Sequence, residues 1–221
     1  MPSLWEAVAG TPEITWSTRD DDGRFVDFSP EFGRVWRWKD ELPERRLVCV
    51  GKHVHGRSAL VSLELLPALC ASRPGAAELS PLEEDVVRFL DDQGPCSTAD
   101  LPELIGHERK RVARAVDRLQ RSLVLTTAGA QERRQGWPAV ILDLLRRRYG
   151  ERLQRLPGED AARARLAEVV LRSATDVSAA DLAAVIGCTR KQASAALDRL
   201  VDEGSARRRE EGEFALYLRG G

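Results

Sequence analysis

The sequence predicts an α+β fold, mainly α, and three observations carry that prediction. Residues 97–119 and 178–200, read against each other at an offset of 81, are identical at 12 of 23 positions. In the first segment these are Ser97, Ala99, Asp100, Leu101, Ile105, Gly106, Arg109, Lys110, Ala115, Asp117, Arg118 and Leu119. Each segment reads as a short helix, a glycine turn, a longer helix and then a β-prone stretch, which is the pattern of a winged helix-turn-helix. Seven of the twelve aromatic residues, Trp5, Trp16, Phe25, Phe28, Phe32, Trp36 and Trp38, fall within residues 1–75. An offset this long is not a solenoid period of roughly 20–50 residues, so the expectation is a small domain used twice. The predicted architecture is two tandem winged helix-turn-helix domains, 80–150 and 159–219, preceded by a small aromatic-rich α+β unit, 1–75.

The elements follow in order. ITWSTRDDDGRFVDF places β-type residues on both sides of a turn built on Asp-Asp-Asp-Gly. Ser29-Pro30-Glu31 fits a helix start with proline at the first helical position, and that helix is expected to stop before Pro43. RLVCVGKHVHGRSALVSLEL reads as a second hairpin turning at His55-Gly56-Arg57, and LLPALCA as a short helix. Ser72–Ala77 reads as a linker. Ser80-Pro81 opens the first helix of copy one, with Leu82, Val86, Phe89 and Leu90 on one face. Ser97 or Thr98 caps its second helix, and Gly106 makes the turn. The third helix, about 108–122, buries Val112, Val116 and Leu119, and LVLTTAG begins the wing. Trp137 to Tyr149 reads as a strand-to-helix connection with a basic end. Copy two repeats the order over Glu159–Ala174, Asp181–Ile186 and Thr189–Glu203, with a wing turning at Glu211-Gly212.

Composition narrows the function classes. A hydrophobic content of 43% and a charged content of 31% suit a globular protein, and no apolar run approaches the roughly 18–20 residues of a membrane span. MPSLWEAVAG has no basic region or sustained apolar core, so a cytoplasmic, nucleoid-associated location is expected. Cys49, Cys70, Cys96 and Cys188 show no C-x-x-C spacing, and neither a metal site nor a cofactor is expected. Cys49, His53 and His55 share one face of a strand, where they read as ordinary hairpin residues rather than ligands.

The net charge of −1 is not that of a strongly basic nucleic-acid binder, yet the charge is uneven. Residues 107–121 hold six Arg or Lys against Glu108 and Asp117. In a helix-turn-helix the third helix meets the major groove. Its exposed face in copy one carries His107, Lys110, Arg111, Arg114 and Arg118, groups suited to guanine edges and phosphates. The matching face of copy two, Thr189, Lys191, Gln192, Ala195 and Arg199, is less charged, so copy one reads as the stronger DNA reader. Arg207 and Arg208 on the second wing are further candidates, although Glu210 and Glu211 follow at once. Arg146–Arg148 read as cations offsetting a helix C-terminus.

PSLWEAVAG, FGRVWRWKDELP, GKHVHGRSALVSLELLPALCA and LSPLEEDVVRFLDDQGPCSTADL together resemble the AlkZ-related proteins, relatives of the bacterial AlkZ-type DNA glycosylases. The resemblance implies a fold of tandem winged helices with a β-rich element and a U-shaped, DNA-embracing outline. It does not bring the activity with it. Those glycosylases position the hydrolytic water with Gln-x-Gln or Gln-x-Asp near the N-terminus. Here Gln93, Gln120, Gln131, Gln135, Gln154 and Gln192 all lack a Gln or Asp two positions on, and the portion that bears the motif finds no match.

The expectation is a non-catalytic protein that binds double-stranded DNA, as monomer or homodimer, in damage recognition or transcriptional regulation. A divergent glycosylase for alkylated or bulky lesions is the alternative, with Asp27 or Glu31 replacing the lost motif. A protein-interaction module without nucleic-acid binding is the third reading.

Overall fold

The computed structural model describes residues 17–19, 21–22, 24–28, 30–54, 56–73, 78–212 and 214–220. Helix and strand are mixed, and the sheets are small. β1 (Ser17–Arg19) and β2 (Phe25–Phe28) pair antiparallel across the Asp-rich turn. α1 (Pro30–Glu44) begins at its proline but runs through Pro43 instead of stopping before it. A proline this close to a helix end removes only one late hydrogen bond. Arg46, at φ 57°, then closes the helix in the left-handed conformation, and Leu47 N–H reaches back to Leu42 O at 2.9 Å. β3 (Val48–Val54) and β4 (Arg57–Ser62) form the second hairpin, and α2 (Leu66–Ala71) follows it. Of the expected linker, residues 74–77 lie outside the described residues.

From residue 81 onward one order of elements occurs twice. First come α3 (Pro81–Gln93), β5 (Cys96–Ser97), α4 (Leu101–Leu104), α5 (Arg109–Arg121), β6 (Leu125–Gln131) and β7 (Ala139–Leu144). After α6 (Leu145–Tyr149) and a 3-10 turn, Gly150–Leu153, the order repeats. It runs α7 (Glu159–Ser173), β8 (Val177–Ser178), α8 (Ala179–Ile186), α9 (Arg190–Asp202), β9 (Ala206–Glu211) and β10 (Phe214–Arg219). Both three-stranded sheets put the last strand in the middle, as β5-β7-β6 and β8-β10-β9.

The repeat persists at the level of single atoms. Ser97 Oγ donates to Asp100 Oδ2 at 2.7 Å and accepts from Asp100 N–H at 3.2 Å. Ser178 does the same with Asp181 at 2.6 and 3.1 Å. At Ser178, the N-cap of α8, these bonds occupy donors that the helix start would otherwise leave bare, whereas α4 starts later, with Asp100 and not Ser97 or Thr98 at its N-cap. Gly106 (φ 70°) and Gly187 (φ 76°) make the turns that follow, in a region glycine enters without strain. Leu101, Val116 and Leu119 are buried, as are Leu182, Leu197 and Leu200 at the same places.

Two apolar clusters form the core. Val86, Leu90, Leu101, Val112, Leu119, Leu125, Leu142 and Leu144 make one. The larger joins Cys49, Val61, Leu66 and Leu69 of the β3–β4 hairpin and α2 to Leu166, Leu182, Leu197 and Tyr217. α2 packs on α7, while β3 packs on α5 and β6 and α1 packs on β6, so the hairpin region touches both copies.

Arginine side chains fasten these layers through backbone carbonyls. Arg73 donates to His53 O, to Arg121 O and, at 3.2 Å, to Ile186 O. Two of those carbonyls end α5 and α8, where a cation meets the negative end of each helix dipole. Arg146–Arg148 lie in the last turn of their own helix, as expected, and they also reach other elements. Arg147 donates to Leu90 O at the end of α3, Arg148 to Pro43 O and Glu44 O at the end of α1, and Arg146 pairs with Asp91 at 2.7 Å. The last turn of α3 is within reach because β7, which leads into α6, packs on α3.

His53 is a buried polar group held at both ring nitrogens. Its Nδ1 lies 2.7 Å from Gln120 O and its Nε2 3.3 Å from Cys49 Sγ. A carbonyl only accepts, so Nδ1 carries the proton and the bare Nε2 faces the thiol. Burial pushes the imidazole down to about 4, although the bond to Gln120 O works the other way. Burial likewise pushes the Cys49 thiol up to about 12, which makes it an inert packing group. Among the described residues no cluster of metal-ligating side chains occurs; His55 is not among them.

Candidate nucleic-acid interface

α5 is amphipathic by its sequence: Val112, Ala115, Val116 and Leu119 face the core, while arginines and Lys110 occupy the opposite side. That polar side is the floor of an open cleft of about 830 Å³. Ser80, Pro81 and Leu82 at the start of α3 form one wall, and Lys52 on β3 forms the other. Arg111, Arg114 and Arg118 line it from below.

The cations differ in how far they are committed. Arg118 pairs with Glu83 at 2.9 Å. Burial alone would raise the Glu83 carboxyl, but Ser80, through hydroxyl and N–H, and Arg118 together hold it below its usual range. Arg121 and Lys52 both pair with Asp117, the former at 2.8 Å. The Lys52 hydrogen bond is the largest influence that keeps the Asp117 carboxyl low. His107 is half-buried, with Nε2 3.3 Å from Asp85 Oδ2. Lys110, Arg111 and Arg114 are exposed, and no ion pair to them occurs among the described residues. Three cations on two turns of helix are thus uncommitted.

The matching surface of copy two is largely self-neutralised. Gln192 Oε1 accepts from Thr189 N–H and Oγ1 at 3.0 and 2.9 Å, which makes it a capping residue. Arg199 pairs with Glu203 at 2.7 Å. On the wing, Arg208 pairs with Glu210 at 2.8 Å and lies 6.0 Å over the Tyr217 ring, while Arg209 pairs with Glu211 at 3.2 Å. Lys191 and Arg207 stay exposed. Asp27 sits on β2 and Glu31 in the first turn of α1; their side chains lie outside the described residues.

Lys52 escaped the sequence reading. It joins the cleft through Asp117, 65 positions away, and neither helical nor strand periodicity links the two. The one legible hint was a lone lysine on the polar side of a predicted hairpin.

The molecule is thus a mixed fold with small sheets that carries a cationic helix face beside a hairpin. The family model for AlkZ-related proteins matches residues 1–187, and the chain belongs to that family. Among solved structures, Streptomyces sahachiroi DNA glycosylase AlkZ is similar with a TM-score of 0.52 at 14% identity, over 81% of this chain and 54% of the other. The chain thus spans about half the length of that glycosylase, and the likeness concerns the fold. A Corynebacterium diphtheriae protein matches with a TM-score of 0.26 and 17% identity over 73% of this chain and 30% of its own. No curated protein sequence matches significantly. No helix among the described residues is long and apolar enough to cross a membrane.

Proposed function

We propose that the protein is a non-catalytic, cytoplasmic binder of double-stranded DNA, built from two winged helix-turn-helix domains, 80–150 and 159–219, behind a smaller unit, 1–75. The observation that carries this reading is the uncommitted trio Lys110, Arg111 and Arg114 on the exposed face of α5. Cations that are not neutralised within the protein are free to displace counterions from a phosphate backbone. The element order from α3 to β7, recurring from α7 to β10, supports the winged-helix reading. Family membership and the likeness to a protein named as a DNA glycosylase support a role at DNA. The missing Gln-x-Gln or Gln-x-Asp motif supports binding without base excision.

Copy one is the principal contact and copy two an auxiliary one, since Arg199 and Arg208 already have acidic partners. The fold likeness to a glycosylase is the observation that favours the alternative, a divergent enzyme using Asp27 or Glu31. A duplex titration over salt concentration tests the main reading. Each lost phosphate contact removes roughly 0.9 from the log–log slope, so Arg111→Ala with Arg114→Ala flattens it by about 1.8. Arg199→Ala changes it little. A double variant that binds like the parent at every salt concentration overturns the assignment to α5.

A further inference from the structure

α5 carries a polar residue where its buried stripe calls for an apolar one. Val112, Val116 and Gln120 follow one another at four-residue spacing, so they lie along one face of the helix. All three are buried, Gln120 to 6% exposure. In α9 the same positions are Ala193, Leu197 and Val201. The main-chain carbonyl of Gln120 is taken by His53, but its side-chain amide makes no hydrogen bond among the described residues. Thr127 on β6 is as deeply buried, and its hydroxyl makes none either. A buried amide without a partner works against the fold, so its presence asks for a reason.

Both residues line a cavity of about 340 Å³ between α5, the β6–β7 sheet and the β3–β4 hairpin. Val112, Val116 and Leu142 give it apolar walls. A mainly apolar hollow of this size with a few placed polar groups is the usual form of a small-molecule site. Its charged lining is Lys52, Asp117 and Arg109. Lys52 pairs with Asp117, and Arg109 donates to Ala99 O at 3.3 Å, so these charges are already engaged within the protein.

We propose that this cavity binds a free, uncharged, planar heterocycle that carries a lactam, an N–H beside a C=O. The Gln120 amide presents a donor and an acceptor side by side, which is the complement of a lactam edge. The Thr127 hydroxyl both donates and accepts, and serves a further polar atom on the ring. The aliphatic walls take the ring faces. A charged ligand would leave water for a site whose own charges are already paired, a cost that a neutral ring does not meet. The assignment goes beyond the DNA-binding reading and stands without it.

The test uses the full chain and two probes in calorimetric titration. One is 2-quinolone, an uncharged planar bicycle with one lactam; the other is 1-methyl-2-quinolone, which lacks the N–H. The parent is expected to bind 2-quinolone saturably and roughly 10-fold tighter than the methylated ring. Gln120→Leu is expected to bring that ratio to about one, and so is Gln120→Met, which is closer in shape. Both variants remove an unpaired amide, so their urea midpoints should be no lower than the parent's. A parent that binds neither probe or both equally overturns the proposal, as does a ratio that survives both variants. Lower urea midpoints in both variants overturn it too, since the amide would then be a structural group held by water. Displacement of 2-quinolone by oligothymidine would overturn the commitment to a free ligand and give the cavity to a nucleic-acid base.

Discussion

Lowering the pH from 7 to 5 is expected to weaken the fold through His53. The imidazole is 1% exposed, and burial depresses it from 6.5 to about 4. The folded protein therefore holds His53 neutral, while the unfolded chain takes up a proton as pH falls below 6.5. Stability contributed this way is complete above the unfolded value and is lost between about 6.5 and 4. For one such group the linkage relation gives a loss of about 2 kcal/mol between pH 7 and pH 5, and about 3 kcal/mol once pH 4 is passed. Glu83, Asp117, Glu168 and Asp181 are all held below their ordinary values, so their share is lost only at lower pH. Urea unfolding at half-unit steps from pH 7.5 to 4.5 measures the slope. His53→Gln keeps an amide that can donate toward Gln120 O but cannot titrate. It is expected to be less stable than the parent at pH 7 and to lack most of the decline. A parent whose stability is level from pH 7 to 5, or a variant with the parent's full decline, would refute the reasoning.

Three further outcomes are expected. Arg73→Met leaves the His53, Arg121 and Ile186 carbonyls without their shared donor and should cost about 2–4 kcal/mol in urea unfolding; a loss below half a kcal/mol would show that water replaces it. Gly51→Ala places a Cβ 2.6 Å from Cε1 and Nε2 of His53, a ring pinned on both nitrogens, and should cost about 2 kcal/mol, much of it recovered when His53 is also replaced by Ala. In single-turnover assays with protein in excess, alkylated duplex should yield no free base above background; release abolished by Asp27→Asn or Glu31→Gln would establish the glycosylase alternative.

What the sequence made legible is what recurs in it. The serine–aspartate caps at 97/100 and 178/181, the glycine turns and the apolar stripes of α5 and α9 each follow from local spacing, and each is stated twice. The charged face of α5 was legible from helical spacing alone, since copy two does not repeat Arg111 or Arg114. Which of its cations are uncommitted was not, because that depends on Glu83 and Lys52 arriving from other elements. Arg73, Arg147 and Arg148 bind backbone carbonyls 20 to 113 positions away, and a carbonyl leaves no mark on residue type. Pro43 misled because a proline disrupts a helix interior far more than its final turn.

The aspartates at 117 and 198 show how far the two runs of elements differ. They are the same letter at the same place in the repeat, yet Asp117 answers to Lys52 and Arg121, whereas Asp198 answers to the Tyr217 hydroxyl at 2.7 Å and to Arg208. One copy has turned outward to a neighbouring hairpin, and the other has turned inward to its own sheet. The halves share a blueprint but are no longer spare parts for each other. A graft of residues 178–200 into positions 97–119 would carry the right cap, turn and aspartate, yet set Ala193 where Val112 fills the core and Ala195 where Arg114 faces the cleft. The repeated order of elements governs the core, and the proposed contact surface is found where the two runs differ.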